Sequence, residues 1–259
     1  MDLQLKDRRA VVTGGTRGIG FAVARALATE GASVALVSRS ASHAEAQAAV
    51  LREETGAEVI GVAADTGDDA AVTAMARTVQ ERFGGADILV NNAAMTNPGY
   101  ISDDDLEAEI NVKVRGYLRC ARAFAPGMTE RGWGRIINIS GLAARMTGSV
   151  TGSVRNAAVV AMSKNLADEL GPSGVNVVSV QPGGTRTETF LATLDRQAEA
   201  RGCSRAELER QWAESVAIGR FVEPHEVASV VAFLASPLSV ALNGDTIIPS
   251  GGYKGAIYY

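Results

Sequence analysis

Short runs of Val and Ile alternate with longer amphipathic stretches from one end of the chain to the other, and this alternation leaves few folds open. The apolar runs are Ala10–Thr13, Ser33–Val37, Glu58–Val62, Ile88–Val90, Arg135–Ile139, Asn176–Val180 and Thr246–Ile248. They are too short for stable helices and rich in β-branched residues, so they read as strands. Between them lie stretches of helical length: Gly20–Thr29, Ala44–Glu54, Asp69–Phe83, Leu106–Met128, Val150–Leu170 and Pro224–Leu234. Continuous apolar strands joined by helical crossovers imply a parallel sheet covered on both faces.

No Pro/Ser-rich linker or repeat interrupts the pattern, so residues 1–259 are expected to form a single α/β domain. The irregular region is 187–217, read as a helical insertion that covers a substrate pocket. A formal net charge of -4 and the absence of a basic block argue against nucleic acid as a partner. The start "MDLQLKDRRAVVTGG" carries no long apolar run, so neither a signal peptide nor a membrane span is expected there. Two cysteines, Cys120 and Cys203, offer no disulfide framework and no metal site, which suits the cytoplasm.

The strongest local motif is "VVTGGTRGIGFAVARALATEG". A strand ends at Thr13, Gly14, Gly18 and Gly20 make a turn, and a helix begins. Glycines there let the backbone approach a pyrophosphate, and a helix N-terminus presents free N–H groups and the positive end of a dipole. The second strand ends in Ser38-Arg39-Ser40. An acid that would accept from a ribose 2′-OH is replaced by Ser38, and Arg39 follows it. With Arg17 in the glycine turn, two guanidiniums are available for a 2′-phosphate, which favours NADP(H) over NAD(H).

Further motifs follow in order: "AADTGD", "DILVNNAA", "INVKVRGYL", "GRIINIS", "VVSVQPGGTRTE" and "IGRFVEPHEVASVVAFLAS". Together with the glycine turn they resemble the short-chain dehydrogenase/reductase family over nearly the whole chain. The resemblance implies one Rossmann-type, doubly wound domain with a seven-stranded parallel sheet, a nicotinamide cofactor, a small-molecule substrate, and a homo-oligomer (a tetramer or dimer). It assigns Gly14, Thr16, Arg17, Gly18, Ile19 and Gly20 to the phosphate loop, and Asp65 and Thr66 to the adenine pocket. Asn92, Ala93 and Ala94 match the strand-end Asn-Ala-Gly stretch, with Ala94 in place of Gly. Pro182, Gly183, Thr185 and Thr187 match the loop that holds the nicotinamide. Ser250 stands where the family usually has Asp.

The catalytic half departs from the pattern. The family places a Ser after the fifth strand, then Tyr-x-x-x-Lys on the next helix, so that an ammonium one turn away favours the phenolate. In "VTGSVRNAAVVAMSKNLADEL" the resemblance puts Gly152 at the Tyr position and Asn156 at the Lys position. Gly141 falls at the Ser position, with Ser140 before it. Asn111 is read as the Asn of the neighbouring helix, and Lys164 as a solvated surface residue. The candidate catalytic residues are therefore Asn111, Ser140, Ser153, Arg155 and Asn156, with Thr147, Ser149 and Thr151 as further hydroxyls. Arg155 would be an electrostatic clamp and not an acid. A phenol from elsewhere would come from Tyr100, Tyr253, Tyr258 or Tyr259. Three readings follow: an NADP-dependent oxidoreductase acting on a carbonyl, alcohol or imine through unusual residues; a non-catalytic dinucleotide binder serving as sensor or partner subunit; and non-redox chemistry, a dehydration or isomerisation, on the same scaffold.

Overall fold

In the computed structural model, which describes residues 1–95, 102–255 and 257, the seven strands form one parallel sheet. They are β1 Arg9–Thr13, β2 Ser33–Ser38, β3 Val59–Ala63, β4 Ile88–Asn91, β5 Gly134–Ile139, β6 Val175–Val180 and β7 Thr246–Ile247. The order is β3-β2-β1-β4-β5-β6-β7. The chain therefore winds outward from β1 in one direction and from β4 in the other. The crevice between these two strands, at their carboxyl ends, is where a doubly wound sheet takes its ligand.

The sheet is apolar on both faces, as parallel strands require. On one face α1 (Gly18–Thr29), α2 (Ala41–Thr55) and α9 (Pro224–Ala235) bury Val23, Leu27, Leu51, Val227 and Val231 against β1, β2, β4 and β6. On the other, α3 (Asp69–Phe83), α5 (Gly116–Glu130) and α6 (Val150–Leu170) bury Val72, Met75, Cys120, Phe124 and Ala167. Caps fix several helix starts. Ser40, Asp68, Ser149 and Thr187 each accept a backbone N–H from the first turn of the following helix. The expected insertion is helical: α7 (Glu188–Arg201) and α8 (Arg205–Ser215) close over a small aromatic core of Phe190, Trp212 and Phe221.

The helical stretch expected over Leu106–Met128 is not uniform. α4 (Asp103–Ile110) gives way to a single π-helical turn at Asn111–Arg115 before α5 begins. A π turn adds a residue to the helical circuit and so turns every later side chain to a different direction. Its consequence appears at the site below.

A polar ladder crosses the apolar layer. The Asn91 amide donates to Asn138 Oδ1 at 2.9 Å, Asn138 donates to Ser163 Oγ at 2.9 Å, and Ser163 donates to the Val159 carbonyl at 2.7 Å. The ladder ties β4, β5 and α6 in register. Breaking it leaves buried polar groups unpaired, so Asn138→Ala is expected to cost about 2 kcal/mol of folding free energy in urea unfolding. A change below about 0.5 kcal/mol would mean that the ladder does not contribute to stability.

Candidate active site

The glycine turn is built as close approach demands. A β-carbon at Gly20 would lie 2.2 Å from the Gly14 carbonyl oxygen and 2.4 Å from Asn92 Nδ2, so no larger residue fits. Gly14, at φ +61°, lies against the backbone of Ala93. The turn is clamped from β4. Asn92 Nδ2 donates to the Thr13 and Gly14 carbonyls at 3.2 and 2.9 Å, while Thr13 Oγ1 accepts from the backbone N–H groups of Asn92 and Ala93. A β-carbon at Gly18, at φ +54°, would meet the Thr187 methyl at 3.2 Å, so the loop after β6 lies close to the loop after β1. Thr16 is buried in the turn, Ile19 packs partly against the core, and Arg17 is exposed at the N-cap of α1.

The remaining cofactor candidates line the same edge. Ser38 Oγ is held within its own turn by Ser40, while Arg39 beside it is exposed. No hydrogen bond or ion pair engages the side chain of Arg17 or Arg39 among the described residues. Asp65 is exposed and accepts from the Gly67 N–H at 2.8 Å; Thr66 is buried and donates to the Val112 carbonyl. Ala94 is exposed next to Ala93. The Pro182 carbonyl accepts from the Leu142 N–H, and Gly183 lies against Ser250, whose burial explains why an uncharged residue suits that position. Thr185 pairs with Val222, and Thr187 caps α7.

The catalytic candidates fall into two groups. Ser140, Arg155 and Asn156 meet at the end of β5. Ser140 Oγ donates to the Asn156 carbonyl at 2.9 Å, and the Asn156 amide donates to the Gly152 carbonyl at 2.8 Å. Both side chains are thus spent on the backbone of α6. Arg155 is ion-paired with Glu109 and donates to the Met95 carbonyl at 2.8 Å. Two buried polar atoms here, Arg155 Nε and Asn156 Oδ1, have no hydrogen-bond partner among the described residues.

The other candidates lie away from this centre. Ser153 donates to the Met146 carbonyl, Ser149 caps α6 with Thr151 beside it, and Thr147 is exposed. A β-carbon at Gly152 would meet Ser149 Oγ at 2.9 Å. Lys164 is exposed, as expected, and pairs with Asp168. Tyr253 bridges to Val216 and packs on Trp212. Tyr100, Tyr258 and Tyr259 lie outside the described residues.

Asn111 is a correction. Its amide donates to the Gly67 carbonyl at 3.0 Å, on the loop after β3, and does not reach the end of β5. The residue of this helix that does reach it is Lys113. Lys113 is buried, and its Nζ donates to the Ser140 carbonyl at 2.9 Å. The sequence reading missed it, as it missed Glu109, which is 1% exposed. Burial first, and then the positive charge of Arg155, bring the Lys113 ammonium down to about 7, against the pull of Glu109. Tyr117, one turn further on, is not a second acid. Its hydroxyl donates to the Ile139 carbonyl at 3.0 Å, and burial pushes the phenol well above its ordinary range.

Comparison with known proteins matches this geometry to relatives. Residues 14–254 match the family described as Enoyl-(Acyl carrier protein) reductase. The short-chain reductase protein NovJ of Streptomyces niveus is 37% identical over 94% of this chain and 92% of its own length. The 3-oxoacyl-[acyl-carrier-protein] reductase FabG of Vibrio harveyi is 32% identical over 96% and 98%. The chain belongs to the short-chain dehydrogenase/reductase family. The crystal structure of L-sorbose reductase from Gluconobacter frateurii, complexed with NADPH and L-sorbose, superposes with a TM-score of 0.93 at 32% identity, covering 99% of this chain and all of that one. The expected single Rossmann-type domain with a seven-stranded parallel sheet is therefore the fold. Among the described residues no His/Cys/Asp/Glu cluster is fit to hold a metal, and no helix is long and apolar enough to cross a membrane.

The Lys113 amine leaves a mark on stability. The unfolded chain keeps the proton up to the ordinary lysine value of 10.5, whereas the folded chain releases it near 7. Between those values the unfolded state holds the extra proton, so stability rises with pH. Compared with Lys113→Met at each pH, the wild-type chain should gain on the order of 3 kcal/mol between pH 7 and 10 in chemical unfolding. No change in that difference would show that the amine titrates at its ordinary value.

Proposed function

We propose that this chain is an NADP(H)-dependent oxidoreductase that reduces or oxidises a small carbonyl, alcohol or imine without a Tyr/Lys pair. The observation that carries the reading is the glycine turn. Its cradle excludes a β-carbon at Gly20 and is held rigid by Asn92, and it opens beside two exposed guanidiniums with no other partner among the described residues. These residues fit a dinucleotide. The pyrophosphate would take the N–H groups of Gly18–Gly20 at the start of α1, and a 2′-phosphate would take Arg17 and Arg39. Asp65 and Thr66 would border the adenine, and Pro182, Gly183, Thr185 and Thr187 the nicotinamide. Bound there, the cofactor supplies or accepts a hydride. The protein's part is to align the substrate over the end of β5 and to manage the proton.

The complex of L-sorbose reductase with NADPH supports the choice of cofactor, and the family's reductases support redox chemistry over dehydration or isomerisation. Helices α7 and α8 are suited to cover the substrate, since they grow from the loop that meets the glycine turn. Assembly with other copies and a cytoplasmic location fit the same reading. Val150 and Val154, one turn apart on α6, expose an apolar strip that a second copy would cover.

A second reading, a non-catalytic binder that serves as sensor or partner subunit, is favoured by one observation. The side chains of Ser140 and Asn156 are turned onto the backbone of α6, and Gly152 offers none.

Calorimetry with NADPH and with NADH tests the cofactor. NADPH should bind at least about tenfold more tightly, a difference near 1.4 kcal/mol. Arg39→Ala should remove most of that preference while leaving NADH unchanged. Gly20→Ala should abolish binding of both and destabilise the fold by about 1–3 kcal/mol through overpacking. Equal binding of both dinucleotides would discard the phosphate assignment, and no binding of either would discard the function.

A further inference from the structure

Three charged groups are buried together at the carboxyl end of β5, and their charges do not cancel. Glu109 and Arg155 neutralise each other as an ion pair. The ammonium of Lys113 is left over, so with Lys113 protonated the cluster carries one net positive charge. A buried, unbalanced cation is costly unless something supplies a counter-charge or a strong acceptor. Its hydrogen bonds are also incomplete. Of the three donors on Lys113 Nζ, one has an acceptor among the described residues, the Ser140 carbonyl. Arg155 Nε–H, on a side chain about nine-tenths buried, has none. Ser140 is the first residue past the end of β5, and the glycine turn opens on the same edge of the sheet.

We infer that Lys113 and Arg155 form an oxyanion-binding site for the substrate's carbonyl oxygen, and that Lys113 gives that oxygen its proton. The inference rests on the oxidoreductase reading for its substrate, but the anion site stands on the charge and hydrogen-bond balance alone. In the reducing direction the carbonyl carbon gains a hydride from the reduced nicotinamide and its π electrons move to oxygen. An N–H bond of the Lys113 ammonium breaks, an O–H bond forms, and a neutral amine remains, to be recharged by a proton from water. Arg155, paired with Glu109, keeps its charge throughout and acts as the fixed clamp. The charged groups that act on Lys113 are Glu109 from α4 and Arg155 from α6; its acceptor is the Ser140 carbonyl, just past β5, and Tyr117 lies four residues further along the helical run. Among them the lysine is suited to exchange a proton near neutrality, since the Tyr117 phenol is held in its acid form and bonded to Ile139.

The chain has four lysines, Lys6, Lys113, Lys164 and Lys254, so NMR of protein carrying 13Cε-lysine resolves each titration. Lys113→Arg assigns the resonance. Acetate serves as the oxyanion probe, against chloride at equal ionic strength. The expected result is that Lys113 titrates near neutrality and that acetate raises its midpoint by about one pH unit or more, because an anion stabilises the charged form. A midpoint that acetate does not move overturns the site, whether it lies near 7 or at the ordinary lysine value.

A second arm uses NADPH with 9,10-phenanthrenequinone as carbonyl probe. Lys113→Met and Lys113→Arg should each lose about 100-fold or more in kcat with NADPH affinity kept, since neither replacement can release a proton. Turnover retained in both overturns the proton-donor role. If the wild-type chain leaves the quinone untouched while acetate still shifts Lys113, the oxidoreductase reading fails and the oxyanion site stands.

Discussion

The contact on which the site depends is the clamp between the ends of β1 and β4. In a doubly wound sheet these neighbours send their chains apart, and the gap between them is the only place where a ligand can approach strand ends without a crossover helix in the way. Asn92 crosses that gap to the Thr13 and Gly14 carbonyls, and Thr13 returns the contact through its hydroxyl. Two carbonyls that would otherwise point unpaired into a crevice are satisfied, and the glycine turn is fixed before any ligand arrives. Thr187 then rests on Gly18, so the loop that leads into α7 and α8 takes its position from the same turn.

The second constraint is electrostatic. Four polar groups from three elements converge on Ser140: Lys113 on its carbonyl, its own hydroxyl on Asn156, and the Glu109–Arg155 pair beside them. A fold kept only for shape would gain by replacing such a cluster with apolar residues, because breaking even with buried charge requires every hydrogen bond to be made. Here Arg155 Nε and Asn156 Oδ1 remain unmade. Stability spent on a cluster with spare donors and a spare acceptor is what a binding site looks like before it is filled.

The sheet was legible because parallel strands buried on both faces must be largely apolar, and Val11–Val12, Val34–Val37 and Ile136–Ile137 are continuously so. The phosphate loop was legible because glycine spacing states a backbone requirement directly, as the 2.2 Å approach at Gly20 bears out. The polar centre was legible only in part. Arg155, Ser140 and Asn156 were found through their place in a family pattern. Lys113 and Glu109, four residues apart in a helical run, carry no motif that marks them out, and charged residues on such a run are ordinarily exposed. Two facts invisible in sequence reversed this. One is the π turn at Asn111–Arg115, which directs Asn111 to Gly67 and Lys113 to Ser140. The other is the partner of Glu109, Arg155, which lies on a different helix.

That redirection bears on how the proposed chemistry would proceed without the pattern's Tyr/Lys pair. The family's pattern needs an ammonium near the end of the fifth strand and an amide-bearing residue on the adjoining helix. This chain has both, on exchanged helices: Asn156 on α6 where the resemblance places a lysine, and Lys113 on the neighbouring helical run, two residues past the Asn111 read as the family's asparagine. An ammonium acts through its charge and its proton, neither of which depends on the helix that carries it. What changes is the pairing. An ammonium on α6 would sit one turn from residue 152 and could tune a phenol there, whereas Lys113 reaches the Ser140 carbonyl from the neighbouring helical run, with Gly152 offering nothing to tune. A site so arranged has no intermediary between the cation and the substrate oxygen, and its pH response must come from the lysine itself.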